Sequence, residues 1–177
     1  MLNIGVSLHR RGDLREARQI LEQALEKSIA IDYKTAEDYA RRYLGFVLID
    51  LEDFESARSQ FETAAKLAET MGSKIGIAAS KVGLGTIAFI TDGKRELLEE
   101  GIEDARGVQD AEHYIKGKVN LAKTLIKRGG DNEEALEHLK NALAIAKRAG
   151  LGRDVKTIEP MIASLEVDQK TGNRPEI

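Results

Sequence analysis

The sequence predicts an all-α protein built from stacked helical hairpins. Three observations support this fold class: a helix-forming composition, two apolar patterns that recur about every 40 residues, and a turn sequence between the two patterns. The chain has 177 residues, of which 42% are hydrophobic, 5% are aromatic and two are proline. Abundant Ala, Leu, Glu and Lys favour helices over strands. A chain of this length is expected to form one domain that buries about 70% of its unfolded surface.

The first pattern marks the first helix of each hairpin, and its second residue is small. Gly5, Gly45, Gly85 and Ala122 are these small residues, and they lie 40, 40 and 37 positions apart. Small residues allow two helices to approach closely. The pattern occurs four times, as Ile4-Gly5-Val6-Ser7-Leu8, Leu44-Gly45-Phe46-Val47-Leu48, Leu84-Gly85-Thr86-Ile87-Ala88 and Leu121-Ala122-Lys123-Thr124-Leu125.

The second pattern marks the second helix, with apolar residues at offsets of four and three. These offsets place three residues on one stripe of a helix. The central, large residue of each set is expected to fill the groove beside the small residue of the first pattern. The four sets are Ala17, Leu21 and Ala24; Ala57, Phe61 and Ala64; Leu98, Ile102 and Ala105; and Ala135, Leu139 and Ala142.

Turn sequences separate the two patterns in every unit, so that each unit is predicted to be a helical hairpin. They are Gly12-Asp13, Glu52-Asp53, Asp92-Gly93 and Gly129-Gly130-Asp131. Asp13 with Glu16, and Asp131 with Glu134, have the spacing of a capping box. Gly72 and Gly150 are predicted to end second helices, because glycine adopts the left-handed conformation of a helix C-cap.

The boundaries follow from these signals. The predicted helices span 1–11, 14–30, 34–51, 54–70, 74–91, 95–109, 112–128 and 132–149. They form four units, about 1–31, 32–72, 73–110 and 111–150, within a single domain over 1–170. A capping helix is predicted at 154–168 and a flexible tail at 171–177. Pro160 lies in the first turn if Thr157 is the N-cap, and kinks the helix if it begins at Asp154.

These patterns resemble the tetratricopeptide repeat family over roughly residues 1–150. The second unit fits best, with Leu44-Gly45 on the first helix and Ala57, Phe61 and Ala64 on the second. The usual repeat has 34 residues, so units of about 40 resemble the long-repeat variant of the family. The third unit carries Leu98 where the family has Ala, which predicts that its two helices lie further apart.

The resemblance implies a right-handed superhelical solenoid whose concave face is lined by the first helix of each repeat. It further implies a non-enzymatic scaffold that binds a peptide or partner protein on that face. Apolar residues with a basic rim would suit a ligand with a hydrophobic stripe and acidic flanks. Carried onto this sequence, the concave positions include Tyr39, Arg42, Tyr43, Phe46, Asp50, Thr86, Phe89, Lys116, Asn120, Lys123 and Lys127.

Three alternatives remain open. Tyr39 and Tyr43 could simply pack on a neighbouring helix while the lysines form a solvated face. The first helix is shorter than the others by one or two turns, and solenoid ends without a cap tend to pair. A homodimer through this edge, with apolar surface from Leu2, Ile4, Val6 and Leu8, is therefore one alternative function. The other is the sensor or interaction domain of a larger regulator.

Other function classes find little support. The chain lacks Cys, and His9, His113 and His138 form no catalytic or metal-binding pattern and are expected to be surface polar residues. We therefore expect no enzyme activity, cofactor or metal. A net charge of −3 gives no reason to expect nucleic acid. The longest apolar stretch, 82–90, is about half a membrane span. Residues 1–12 lack the features of a signal peptide, so we expect a cytoplasmic protein that binds no membrane.

Overall fold

The computed structural model describes residues 1–171, with side chains through residue 167. This part of the chain contains nine α-helices and no strand, as the sequence predicts. The first eight helices begin and end within two residues of their predicted bounds. They are α1 (Leu2–Arg11), α2 (Leu14–Ala30), α3 (Lys34–Asp50), α4 (Phe54–Met71), α5 (Lys74–Asp92), α6 (Glu96–Gly107), α7 (Ala111–Lys127), α8 (Asn132–Arg148) and α9 (Gly152–Thr171).

The helices stack in sequence order. Each helix packs against the next, and the first helices of successive units, α1 with α3, α3 with α5 and α5 with α7, also contact one another. The fold is therefore an all-α helical-repeat solenoid. The capping helix α9 packs on α8 and buries Ile158 and Leu165.

Every connection between consecutive described helices contains one residue with a left-handed backbone. Five of these residues are glycines and the other three are Asp32, Glu52 and Gln109. After α3, for example, the Glu52 amide donates to the Ile49 carbonyl at 2.9 Å and the Asp53 amide donates to the Leu48 carbonyl at 2.9 Å. These bonds satisfy carbonyls that the helix leaves free. The predicted turns and the left-handed Gly72 cap are confirmed.

The predicted side-chain caps are half right. The Asp131 carboxylate accepts from the amides of Glu133 at 2.7 Å and Glu134 at 3.2 Å, as expected. The Glu134 side chain, which a capping box would turn back to the helix start, accepts from Arg95 at 2.7 Å instead. Asp13 makes no capping bond to α2. Its carboxylate lies 2.9 Å from the Arg11 guanidinium instead.

Close contact between glycines and large side chains holds successive units together. A Cβ atom at Gly45 would lie 2.7 Å from the Phe61 ring, and one at Gly83, in the next unit, would lie 2.3 Å from it. A Cβ atom at Gly5 would lie 2.6 Å from Leu21. Phe61 is thus held between the first helices of two units, and the predicted packing role of the glycines is confirmed.

The expectation that the helices of the third unit lie further apart is wrong. A Cβ atom at Gly85 would lie 2.3 Å from the backbone nitrogen of Leu98, and one at Gly101 would lie 2.7 Å from that of Val82. Two glycines, one on each helix, therefore bring the backbones of α5 and α6 together. Gly101 was not recognised from the sequence, and it compensates for the larger Leu98.

The last helix begins earlier than predicted. Because α9 starts at Gly152, Thr157 is not its N-cap, and the Thr157 hydroxyl donates to the Arg153 carbonyl at 3.1 Å inside the helix. Pro160 consequently lies in the helix interior. Thr171, the first residue of the predicted tail, is the last residue of α9, and the rest of that tail, 172–177, lies outside the described residues.

Candidate interaction surface

Side chains of α1, α3 and α7 fill the middle of the surface lined by the first helices. The Tyr43 hydroxyl donates to the Glu112 carboxylate at 2.6 Å, and the Arg10 guanidinium donates to the same oxygen atom. The His113 ring stacks on Phe46 with 5.8 Å between ring centroids. We call these five residues the central plug. Cavities lie on both sides of it.

Burial and hydrogen bonding set the protonation states of Tyr43 and Glu112 in the plug. Burial, together with the Glu112 carboxylate, raises the pKa of Tyr43, so its hydroxyl stays protonated and remains a donor. Burial alone would raise the pKa of Glu112, but bonds from Tyr43 and Arg10 lower it overall. The imidazole of His113 lies 2.6 Å from the Asp110 carboxylate. The plug therefore holds an ionised carboxylate between a phenol and a guanidinium.

The expectation that the histidines are surface polar residues is wrong for two of them. The side chains of His9 and His113 are buried, because α1, α3 and α7 converge on them. His9 Nε2 lies 2.6 Å from Asp50 Oδ2, a contact that joins residues 41 positions apart. No local sequence signal connects these residues, and the same holds for Glu112.

The first cavity has a volume of about 600 Å³ and lies where α1, α3 and α5 begin. We call it the N-terminal basin. It takes in two predicted site residues, Tyr39 and Arg42. The Arg42 guanidinium donates to the Asp38 carboxylate at 3.0 Å, and both side chains are buried, at 6% and 4% exposure. Arg42 is thus already paired within the chain. The basin is also lined by Leu2, Asn3, Tyr33, Thr35, Ala36, Met71, Ser73 and Ile75.

The second region consists of two adjoining cavities of about 200 Å³ and 130 Å³ between α3, α5, α7 and α9. We call it the α3–α7 groove. Ile49, Phe54, Ile90 and Val119 provide apolar surface. The groove takes in most of the remaining predicted site residues, namely Asp50, Thr86, Asn120, Lys123 and Lys127 in the larger cavity and Phe46 and Lys116 in the smaller one.

Three lysines of α7 supply the positive charge of the α3–α7 groove. The Lys116 ammonium lies 4.3 Å from the centroid of the Phe46 ring and forms no ion pair with another described residue. Burial lowers the pKa of Lys116. Lys123 and Lys127 are exposed, and the Lys127 ammonium lies 3.2 Å from the Glu52 carboxylate. Three amines of one helix therefore face the groove.

Asp50 is one of three carboxylates that line the groove, together with Glu52 and Asp154. Burial lowers the pKa of His9, so at neutral pH the uncharged imidazole donates to Asp50. Burial alone would raise the pKa of Asp50, but the bond from His9 and the charges of Lys116 and Lys123 lower it overall. Asp50, Glu52 and Asp154 thus equal the three lysines in number. Lys116 and Lys123 nevertheless form no ion pair with another described residue.

The predicted site residues therefore separate by exposure. Tyr43, Phe46 and Phe89 are buried against neighbouring helices, which for Tyr43 is the alternative that the sequence left open. Arg42 and Thr86 are buried as well, the latter accepting from the Asn120 amide at 3.2 Å. These five side chains expose little surface, although Arg42, Phe46 and Thr86 line the cavities. Tyr39, Lys116 and Asn120 are partly buried, and Asp50, Lys123 and Lys127 are exposed.

The described residues include no group of three His, Asp or Glu side chains that could hold a metal ion. Among them, α5 alone is long and apolar enough to cross a membrane by length and composition. More than half of its apolar window is buried in the solenoid, where it packs against α3, α4, α6 and α7. Packing therefore accounts for its apolar character.

Residues 1–70 match the family model of the tetratricopeptide repeat. This match supports a tetratricopeptide repeat assignment for this part of the chain. No curated protein matches the chain. Tetratricopeptide repeats are a non-catalytic fold that generally mediates protein–protein interaction. Beyond residue 70, α5 to α8 continue the same hairpin stacking. The match covers the hairpins that form most of the N-terminal basin and one wall of the α3–α7 groove.

Proposed function

We propose that the chain is a non-enzymatic interaction module that binds an acidic, partly apolar segment of a partner protein in the α3–α7 groove. This role fits both a free-standing scaffold and the interaction domain of a larger regulator. The tetratricopeptide repeats support the general role, because this fold commonly serves protein binding. The chemistry of the groove supports the choice of ligand.

One observation carries the proposal: the row of lysines on α7. Lys116, Lys123 and Lys127 lie on one face of the helix, at spacings of seven and four residues. Lys116 is partly buried without an ion pair to another described residue. An ammonium group that has lost water gains most from a new carboxylate partner. A ligand with acidic side chains would supply one.

Apolar surface completes the fit. Ile49 and Ile90 lie across the groove from the lysines, and the side chain of Phe54 is only partly buried. A segment with large apolar side chains would cover these residues, while its acidic side chains meet the lysines. This is the usual division of labour in an interface, with an apolar centre and a charged rim.

The proposal is tested with two fluorescein-labelled peptides of matched length. In one, leucines form a helical stripe flanked by glutamates, and in the other every glutamate is replaced by lysine. We expect the chain to bind the acidic peptide only, and more weakly as salt is raised. Fluorescence anisotropy measures both effects.

Charge reversal locates the site. Lys123→Glu with Lys127→Glu is expected to weaken binding of the acidic peptide about tenfold or more, because attraction becomes repulsion. Arg58→Glu with Lys66→Glu, at two exposed positions on α4, is the matched control and is expected to leave binding nearly unchanged. Equal losses in both variants would refute the groove as the site, as would equal binding of the two peptides.

A further inference from the structure

Exposed apolar side chains concentrate at one end of the solenoid. First helices begin and second helices end there, because the hairpins are antiparallel. We call this surface the apolar end. The apolar end comprises Met1, Ile4, Ile29, Ile31, Tyr33, Met71 and Ile75. Among the residues whose side chains are described, Val167 is the one exposed large hydrophobic residue outside it. Single exposed hydrophobic residues are ordinary, but a contiguous group marks an interface.

This surface differs from the N-terminal edge that the sequence predicts for self-association. Val6 and Leu8, two of the four residues expected to form that edge, are buried at 6% and 5% exposure. Ile4 is exposed and Leu2 is partly buried. The unpaired apolar surface therefore lies at the ends of the helices rather than along the side of α1.

A protruding turn and a cavity lie next to each other at the apolar end. The turn between α2 and α3 carries Ile31, whose side chain is 72% exposed, the highest value among the exposed large hydrophobic residues. The same turn leads into Tyr33, which lines the N-terminal basin. Met71 and Ile75 line the basin as well. One copy of the chain thus presents both an apolar projection and an apolar receptacle.

Charged side chains also lie on the projection and beside the receptacle. Asp32, in the turn beside Ile31, has a side chain that is 82% exposed. Lys74 is exposed at the rim of the basin, between Ser73 and Ile75, and forms no ion pair with another described residue. The projection therefore carries an exposed carboxylate, which lies 2.9 Å from the Lys34 ammonium of the same chain. The ammonium group beside the receptacle has no such partner among the described residues.

We propose that the chain forms a two-fold symmetric dimer in which the turn of each copy inserts Ile31 into the N-terminal basin of the other. A projection and a receptacle on the same face make such an exchange reciprocal, so the assembly closes at two copies. Asp32 of each copy then faces Lys74 of its partner. The α3–α7 groove lies beyond the central plug and stays open, so this dimer is independent of the proposed peptide binding.

Sedimentation velocity across a range of protein concentrations tests the dimer. We expect a species of twice the 19.5 kDa chain mass. Ile31→Lys is expected to reduce it to the monomer, while Val167→Lys, an exposed apolar residue outside the apolar end, leaves it dimeric. Circular dichroism checks that both variants keep their helices. A monomer at all concentrations of the unchanged protein would overturn the proposal, and so would a dimer that survives Ile31→Lys.

Charge exchange tests the geometry of the contact. Asp32→Lys and Lys74→Asp are each expected to raise the dissociation constant about tenfold, because each places like charges together twice per dimer. An equimolar mixture of the two variants restores opposite charges at both contacts, so the dimer should return. A dimer formed through another surface would show no recovery on mixing, which would contradict the proposed contact.

Discussion

The N-terminal basin and the α3–α7 groove are both lined mainly by first helices, yet they differ in how their charges are satisfied. In the basin, Arg42 and Asp38 neutralise each other at a buried site, and the exposed surface around them is apolar. In the groove, Lys116 and Lys123 have no ion pair with another described residue. Equivalent surfaces of successive repeats can thus be specialised, one for an apolar contact and one for an acidic ligand.

The largest effect on stability is expected for the buried ion pair of the basin. Asp38→Ala leaves the Arg42 guanidinium buried without a partner, and we expect the free energy of unfolding to fall by about 3–5 kcal/mol. Urea denaturation measures the change. In the groove, Glu52→Gln breaks the pair with Lys127, whose two side chains are 70% and 73% exposed, and should cost about 0–1 kcal/mol. Similar losses in both variants would contradict this distinction.

An intermediate effect is expected at the plug that separates the two regions. Tyr43→Phe keeps the buried ring but removes the hydroxyl that donates to Glu112. The remaining Arg10 bond satisfies the carboxylate only in part, and the expected loss is about 1–3 kcal/mol in the free energy of unfolding. Tyr33→Phe, at an exposed position of the basin, serves as the control. An equal, small change in both variants would show that the plug hydrogen bond contributes little.

A smaller effect is expected from pH. Burial lowers the pKa of His9 below its ordinary value of 6.5, and burial with the nearby charge of Lys118 does the same for His138. The unfolded chain then binds more protons than the fold just below pH 6.5, so stability is fully present above that value and declines as the pH falls. The lowered pKa of Asp50 adds a further loss in more acidic solution.

Single substitutions separate these contributions. His9→Gln is expected to flatten the dependence of the unfolding free energy on pH between about 6.5 and 5. His138→Gln should flatten it independently, because the two residues lie on different helices and share no contact. Unfolding curves at a series of pH values measure both slopes. A slope unchanged by His9→Gln would contradict a buried, neutral His9.

Local sequence signals predicted most of the fold. The bounds of α1 to α8 follow from glycine turns and apolar spacing, both of which act over a few residues. Gly83 and Phe61 could likewise be assigned to packing from their positions in the repeat. The predicted Asp13 cap was wrong, and its carboxylate lies beside Arg11 instead. The predicted start of α9 was wrong because the helix accommodates Pro160 in its interior.

The interaction surface was less predictable. The family resemblance placed Lys123 and Lys127 on the face lined by the first helices, and both side chains are exposed there. It could not foresee the central plug, because Arg10 and Glu112 are 102 residues apart and meet only through the curvature of the whole solenoid. That curvature results from many helix contacts together, including the close approach at Gly101. Tyr43 and Phe46 were therefore assigned to a surface that the fold closes.

The separation of the two regions is tested most directly by measuring dimerisation and peptide binding in the same two variants. Sedimentation gives the mass, and anisotropy gives the affinity for the acidic peptide. We predict that Lys123→Glu with Lys127→Glu weakens peptide binding about tenfold or more and leaves the dimer intact, whereas Ile31→Lys abolishes the dimer and leaves peptide binding intact. Loss of both properties in either variant would contradict two independent surfaces on this solenoid.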